Sequence, residues 1–497
     1  MGAKVILTID QGTTGTRSLV VDRGGRIAGK AYEELRQHYP QPGWVEHDAA
    51  EIWAATERTM AAALADAGTR AADVAAIGIT NQRETSVVWD PASRRPIHRA
   101  IVWQCRRTAE ACEKLKRRGL AREVQRRTGL AIDAYFSGTK IAWTLDQVAG
   151  ARRLAEAGKL RTGTIDTWLI ENLSGGDAHV TDFTNASRTM LLNLRTLDWD
   201  AKMLATLRVP GAILPRPMRS SGVMARTRGL SMLPDGIPIS GVAGDQQAAL
   251  YGQLCHRAGM AKNTYGTGCF LLVHTGGRVA YSRNGLVTTV ACAANGGPAY
   301  ALEGSVFIAG AAVQWLRDQL RILEESRDSE YFASKRGDAG GVYVVPAFVG
   351  LGAPYWDQGA RGAILGITRG TGRAEIVRAT IESIAYQTRD VIDAMERDTG
   401  RRLAELRVDG GAASNDLLMQ FQSDILDTTI DRPREVEVTA LGAAYLAGIG
   451  VGYWKGPSEL ARLRRTDRRF EPSMPKAERE QRYDGWKDAV ARVRTSR

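Results

Sequence analysis

The stretch Leu7 to Asp22, LTIDQGTTGTRSLVVD, runs an apolar strand into a polar turn and then resumes an apolar run. Glycine at a tight turn permits positive φ, and Thr and Asp hydrogen-bond local backbone, so a β-hairpin is predicted. A turn needs only one or two such residues. This one gathers the strand-end carboxylate of Asp10, the backbone and hydroxyl donors of Thr13, Thr14 and Gly15, and the guanidinium of Arg17. Clustered N–H and O–H groups suit phosphate oxygens, and a strand-end carboxylate suits a hydrated Mg²⁺. On these residues alone, plain turn chemistry and anion binding both stay open.

Outward from the hairpin, the chain rhymes with itself. NTYGTGCFLLVH (Asn263 to His274) again places a Gly-Thr turn before an apolar strand. IPISGVAGDQQAALYGQL (Ile237 to Leu254) and LRVDGGAASNDLLMQFQSDIL (Leu406 to Leu426) each read strand, polar glycine turn, helix, and are expected to correspond. VAAIGITN (Val74 to Asn81) and TSVVWD (Thr85 to Asp90) read as strands. From Ala374 to Met395, apolar residues recur at helical spacing ahead of Gly400, and the charged tail after Phe470 predicts a peripheral helix. Mixed elements of this kind predict an α/β architecture in two duplicated halves, divided at 1–252 and 253–497, with a ligand site between them.

The whole chain narrows the field. It has 497 residues, 44% of them hydrophobic, enough for several buried cores. No apolar run approaches the ~18 residues of a membrane helix, and with a strand starting by Val5 no secretory signal is expected. Five widely spaced cysteines without C-x-x-C argue against a disulfide framework or zinc site, so a cytoplasmic setting is expected. The net charge of +12 is scattered rather than clustered, and no nucleic-acid-binding motif accompanies it, so no nucleic-acid partner is expected. No Walker P-loop and no G-x-G-x-x-G after the first strand is present; phosphates would have to be held by opposing hairpins.

Several residues carry two readings. Asp245, in GDQQAAL, fits a helix N-cap or a site carboxylate beside Gln246. Arg83 and Glu84, in NQRETSVVW, fit an exposed ion pair on a turn or a polyol site, in which guanidinium donates, carboxylate accepts and each hydroxyl does both. Trp103 and Tyr135 fit core packing or a pocket wall. Gly411 and Asn415 fit a strand-to-helix connection or a nucleotide contact.

Taken in order, DQGTTGTR, GITNQRET, AIVWQCRRT, YFSGTK, GDQQAAL, NTYGTGCF, GLGAPYWD and LRVDGGAASND resemble the FGGY carbohydrate kinase family, and within it the enzymes that phosphorylate glycerol. The resemblance runs from about Val5 to the region of Trp454. It implies two actin-like (ribonuclease H-like) domains around a cleft, and ATP-dependent phosphorylation of glycerol to sn-glycerol 3-phosphate, with Mg²⁺. It places Asp10, and in a further role Asp245, near the metal, and Thr13, Thr14, Gly15 and Arg17 at the phosphates. Thr267, Gly310, Gln314, Gly411 and Asn415 would meet the rest of the nucleotide. Arg83, Glu84, Asp245 and Gln246 would hold glycerol between Trp103, Tyr135 and Phe270, with Asp245 as general base. Relatives form dimers and tetramers, so a homodimer or homotetramer is expected.

The chain departs from the family pattern twice. Gly15 stands where many relatives have serine. Residues 229–236 carry Met232, Leu233, Pro234 and Asp235 in place of the glycine-rich basic loop of relatives inhibited by fructose 1,6-bisphosphate, so weak or absent inhibition is expected. Two alternatives remain: a kinase for another polyol or a ketose such as xylulose, and an actin-like ATP-binding protein without transferase activity.

Overall fold

The computed structural model describes residues 4–293 and 297–495. The opening motif folds as the predicted hairpin. Val5–Gln11 pairs antiparallel with Gly15–Val21, and the turn closes through Gly12 N–H donating to the Gly15 carbonyl at 2.9 Å. Ile27–Glu34 extends the meander, while Val74–Asn81 and Pro238–Gly244 add parallel strands on the other side of the first strand. Ser221–Arg226 closes that edge.

The second half repeats this plan. Ala261–Tyr265, Cys269–Gly276 and Ala299–Val306 form the meander, Glu405–Asp409 and Thr429–Pro433 lie parallel beyond the first of them, and Thr466–Phe470 closes the edge. Val287–Ala291 adds a strand at the opposite edge. The correspondence expected from sequence shifts by one strand. Glu405–Asp409 matches Val74–Asn81 in position, whereas Pro238–Gly244 matches Thr429–Pro433. Both pairs end in polar turns, which hides the offset from pattern reading alone.

Helices follow the outer parallel strands: Asp245–Gly252 in the first half and Val438–Gly450 in the second. These two pack against each other, and the second also lies across the first sheet. Such proximity requires glycine. A Cβ on Gly442 would run into the Ala248 carbonyl oxygen, and one on Gly241 into the Ala447 backbone nitrogen. The halves are therefore joined by backbone-to-backbone packing at the base of the cleft. The long amphipathic helix spans Arg373–Thr399 and ends at Gly400 in the left-handed region, φ 65°. The tail helix, Lys476–Val493, is docked rather than peripheral: Trp486 is fully buried, stacks on Tyr386, and donates its Nε1–H to Asp390 at 2.9 Å. No helix among the described residues is long and apolar enough to cross a membrane.

Candidate active site

Three parallel strands of the first sheet end in register, with Gln11 beside Asn81 and Asn81 beside Gly244. The residues that follow each strand must therefore emerge at one edge: the hairpin 12–15, the segment Gln82–Glu84, and Asp245–Gln246. Ligands of α/β sheets bind at such carboxyl ends. Sequence segments scattered over some 235 positions converge for this reason.

Arg83 and Glu84 are both buried, so the exposed-turn reading fails. They do not chiefly pair with one another, their closest approach being 3.8 Å. Arg83 makes a two-point ion pair with Glu303, at 2.6 and 2.9 Å, and its Nε lies 3.1 Å from Asp245 Oδ1. Glu84 accepts from Arg188 Nε at 2.6 Å, and Arg188 Nη2 donates to Glu303 at 3.1 Å. Arg188 also lies over the faces of Tyr135 and Phe136. Burial alone would raise the Glu303 pKa, but Arg188 and Arg83 hold it down to about 2. Glu84 has φ 61°, uncommon for a side chain of its size, and its carbonyl is fixed by Lys140 Nζ at 3.1 Å and Ser137 Oγ at 2.9 Å. Asp245 is not a cap: Gly244 holds that position, and the Asp245 side chain is about one-third exposed (32%), open to the cleft.

Aromatic rings wall this charged floor. Trp103 sits edge-on to Tyr135 at 5.6 Å and to Phe270 of the second half at 6.4 Å. Its Nε1–H donates to Thr13 Oγ1 at 2.9 Å, tying the wall to the hairpin 12–15. Gln246 accepts from Lys262, whose Nζ also donates to Thr264 Oγ1 at 2.8 Å and the Phe270 carbonyl at 3.1 Å. Burial pushes the Lys262 pKa down to about 8, with Asp409, Asp245 and Glu303 opposing. All seven residues expected at the polyol site thus belong to one connected cluster. Glu303, Arg188 and Lys262 were missed by the motifs. The signal for Glu303 and Lys262 was a lone charge in a short strand, as in AYALEGSV and AKNTY, since a buried charge demands a partner, whereas Arg188, in the turn after the helix Phe183–Ala186, carried none.

On the facing half, Thr267, Gly310, Gln314, Gly411 and Asn415 line a single cavity of about 510 Å³, with Ile381, Ile384 and Leu418 giving it apolar surface. The turn at Thr267 is docked on the helix Gly310–Asp318 through Gly310 N–H to the Gly266 carbonyl at 3.0 Å. Asn415 is also a true N-cap, accepting from Leu418 N–H at 2.9 Å. In the opposing hairpin, Arg17 pairs with Glu437 and lies over the Tyr32 ring. A Cβ on Gly15 would strike that same ring, so Tyr32 fills the space a serine side chain would need. Burial raises the Asp10 pKa to about 7, with Arg17 opposing and Asp245 and Glu437 adding to the rise. Asp10 and Asp245 therefore feel each other across the floor of the cleft.

The structure thus has a charged, aromatic-walled floor at the strand ends of the first half and a cavity of about 510 Å³ in the second. The sequence matches the FGGY family of carbohydrate kinases over both domains, N-terminal at residues 5–252 and C-terminal at residues 261–451. The chain belongs to the FGGY carbohydrate kinases. Among curated FGGY relatives, a glycerol kinase of Carboxydothermus hydrogenoformans is 57% identical over 99% of both chains. One of Vibrio cholerae is 57% identical over 98% of this chain and 96% of its own. Among solved structures, Plasmodium falciparum glycerol kinase with ADP superposes with a TM-score of 0.93 at 37% identity, over 99% of this chain and 98% of that one. The Lactobacillus acidophilus gluconate kinase, at 22% identity and a TM-score of 0.90, shares the FGGY fold.

Proposed function

We propose that this chain transfers the γ-phosphoryl group of ATP to a terminal hydroxyl of glycerol, giving sn-glycerol 3-phosphate. The observation that carries the reading is Asp245: a partly exposed carboxylate, oriented by Arg83 at 3.1 Å, on a floor walled by Trp103, Tyr135 and Phe270. Arg83, Glu84 and Gln246 offer donors and acceptors to the remaining hydroxyls, and the ring cage limits the ligand to a few carbons. Asp245 takes the proton of the attacking hydroxyl as the oxygen approaches phosphorus in line. General-base help supplies ~10²–10⁴ of the rate, so positioning by the cleft and the donors of the hairpin 12–15 must supply more. The donor set of Asp10 and Asp245 fits Mg²⁺, which takes one or two carboxylates and completes its octahedron with phosphates and water. When bound there, it neutralises phosphate charge.

Full-length likeness to relatives named glycerol kinase supports glycerol over larger sugars. A cytoplasmic homodimer or homotetramer is the form we expect to carry out this reaction. The loop 229–236 is largely exposed, anchored by the buried Leu233 and by Gly229 N–H on Asp235 Oδ1 at 2.7 Å, and it presents no basic side chain, which supports weak or absent inhibition by fructose 1,6-bisphosphate. ADP release measured over a panel of polyols and ketoses, with and without that bisphosphate, tests all of this. Glycerol should give the highest kcat/KM. A higher value for a pentulose would transfer the reading to another FGGY activity, and no turnover on any of them would favour a binding protein.

A further inference from the structure

Behind the phosphate hairpin lies a layer of amides around one imidazole, and two of its members, Gln37 and His47, lie outside every motif that carried the family assignment. Gln82 Nε2 lies 3.1 Å from the Gly12 carbonyl oxygen and 3.1 Å from Gln11 Oε1, while its Oε1 accepts from Thr85 Oγ1 at 2.8 Å. Gln37 Nε2 donates to the Thr13 carbonyl at 2.9 Å and the Leu35 carbonyl at 3.2 Å. His47, fully buried, stands between them, its Nε2 2.8 Å from Gln37 Oε1 and its Nδ1 3.2 Å from Gln82 Nε2. Gln37 Oε1 can only accept, so Nε2 carries the proton; Gln82 Nε2 can only donate, so Nδ1 accepts. Each ring nitrogen is thus matched by the neutral tautomer.

We infer that His47 is a positioning residue for the nucleotide phosphates, acting through Gln37 and Gln82 on the peptide planes of the hairpin 12–15. The two glutamines hold the Gly12 and Thr13 carbonyls back toward the first domain. Both peptides are trans, so the N–H groups of Thr13 and Thr14 point the opposite way. Without the restraint, the Thr13 carbonyl loses its side-chain donor and the Gly12 carbonyl keeps only Gln11 Nε2, at 2.7 Å, so the planes can turn and present a carbonyl oxygen to an anion. The same layer reaches the polyol wall, because Thr85 Oγ1 accepts from Trp103 N–H at 3.2 Å and Trp103 Nε1–H returns to Thr13 Oγ1. His47 thereby ties the hairpin to the wall of the other substrate's pocket. This rests on the hairpin being the phosphate site.

Steady-state kinetics and thermal melts of His47→Leu, Gln37→Leu, the double variant and Arg17→Ala test it. His47→Leu is expected to raise the ATP KM and lower kcat by about tenfold or more, as misplaced donors do, with the glycerol KM changed less than about twofold. Gln37→Leu should act in the same direction, and the double variant should be no worse than His47→Leu alone, since both cut one path. His47→Gln, which keeps a donor near the Nε2 position, should recover part of the loss. Should His47→Leu fail to fold, the half-buried Gln37→Leu carries the same comparison. A His47→Leu protein with a lowered melting temperature but an unchanged ATP KM overturns the inference, as do strictly additive effects in the double variant. If Arg17→Ala raises the ATP KM while His47→Leu does not, the hairpin keeps its assignment and only the role of His47 falls. If neither moves it, the phosphate reading falls too.

Discussion

Arg83 of the first half and Glu303 of the second share two hydrogen bonds, 2.6 and 2.9 Å, and both side chains are buried at the floor of the cleft. Glu303 is also held by Arg188, so one carboxylate bridges two guanidinium groups and locks the halves together beneath Asp245. Removing a partner from a buried pair leaves an uncompensated charge, which costs about 3–5 kcal/mol. Glu303→Gln is therefore expected to lose stability of that order in urea titrations, and to lower kcat/KM for glycerol at least about tenfold as Arg83 drifts from Asp245. Near wild-type values for both would mean that the pair is packing without consequence.

Asp245→Asn keeps the shape of the side chain and removes its basicity. The residue opens a helix and is partly exposed, so folding and ATP binding should be intact. Glycerol phosphorylation should fall by about 10²–10⁴ in kcat. Isothermal titration with ATP beside a coupled assay separates the two effects, and retained turnover would remove the assigned base.

How far the sequence could be read follows from what each residue does. Hairpin, strand and long-helix positions were legible because turn glycines and apolar spacing are local signals. Arg83, Glu84 and Asp245 were legible as chemistry but not as geometry: the adjacent Arg–Glu pair points to different partners, Glu303 and Arg188, supplied from 104 to 220 residues away. The one-strand offset between the halves was illegible because both candidate strands end in polar glycine turns. His47 was silent altogether. A buried histidine satisfied by two glutamines has no signature until the backbone brings Gln37 and Gln82 to it.

The raised pKa of Asp10 predicts a trade between stability and activity. Burial lifts it to about 7, above the ordinary carboxylate range, so between about pH 4 and 7 the folded protein binds a proton the unfolded chain has lost. Ionisation of this group therefore costs stability as pH rises through 7. Asp10→Asn should melt higher than the parent at pH 8, with the gap closing as the pH falls toward 5, while the Mg²⁺ dependence of any residual turnover weakens. A gap that widens on acidification would contradict the sign.

Glu437 is expected to compete with a nucleotide held at the hairpin. It pairs with Arg17 on the hairpin and adds to the proton affinity of Asp10, so a triphosphate bound as proposed would have to displace a carboxylate. Such a partly exposed pair is worth up to about 1 kcal/mol, so Glu437→Gln should lower the ATP KM roughly two- to fivefold. The gain should shrink in high salt, as screening predicts. An unchanged or higher ATP KM at low ionic strength would show that Glu437 helps to hold the hairpin rather than occupy it.

Gly442 tests whether the base of the cleft sets the geometry of its mouth. Helices Asp245–Gly252 and Val438–Gly450 meet so closely that a methyl at Gly442 would enter the Ala248 carbonyl, a backbone atom that cannot swing aside. The helices must separate, and overpacking of this kind costs about 1–3 kcal/mol. Because Asp245 opens the first of these helices, the shift would be transmitted to the carboxylate proposed as the base. Gly442→Ala should therefore lower both the melting temperature and kcat, whereas Gly452→Ala, in open space just beyond the helix but with a positive φ, should lower the melting temperature alone. Loss of stability in Gly442→Ala with a wild-type kcat would mean that the closure of the two halves tolerates a displaced base.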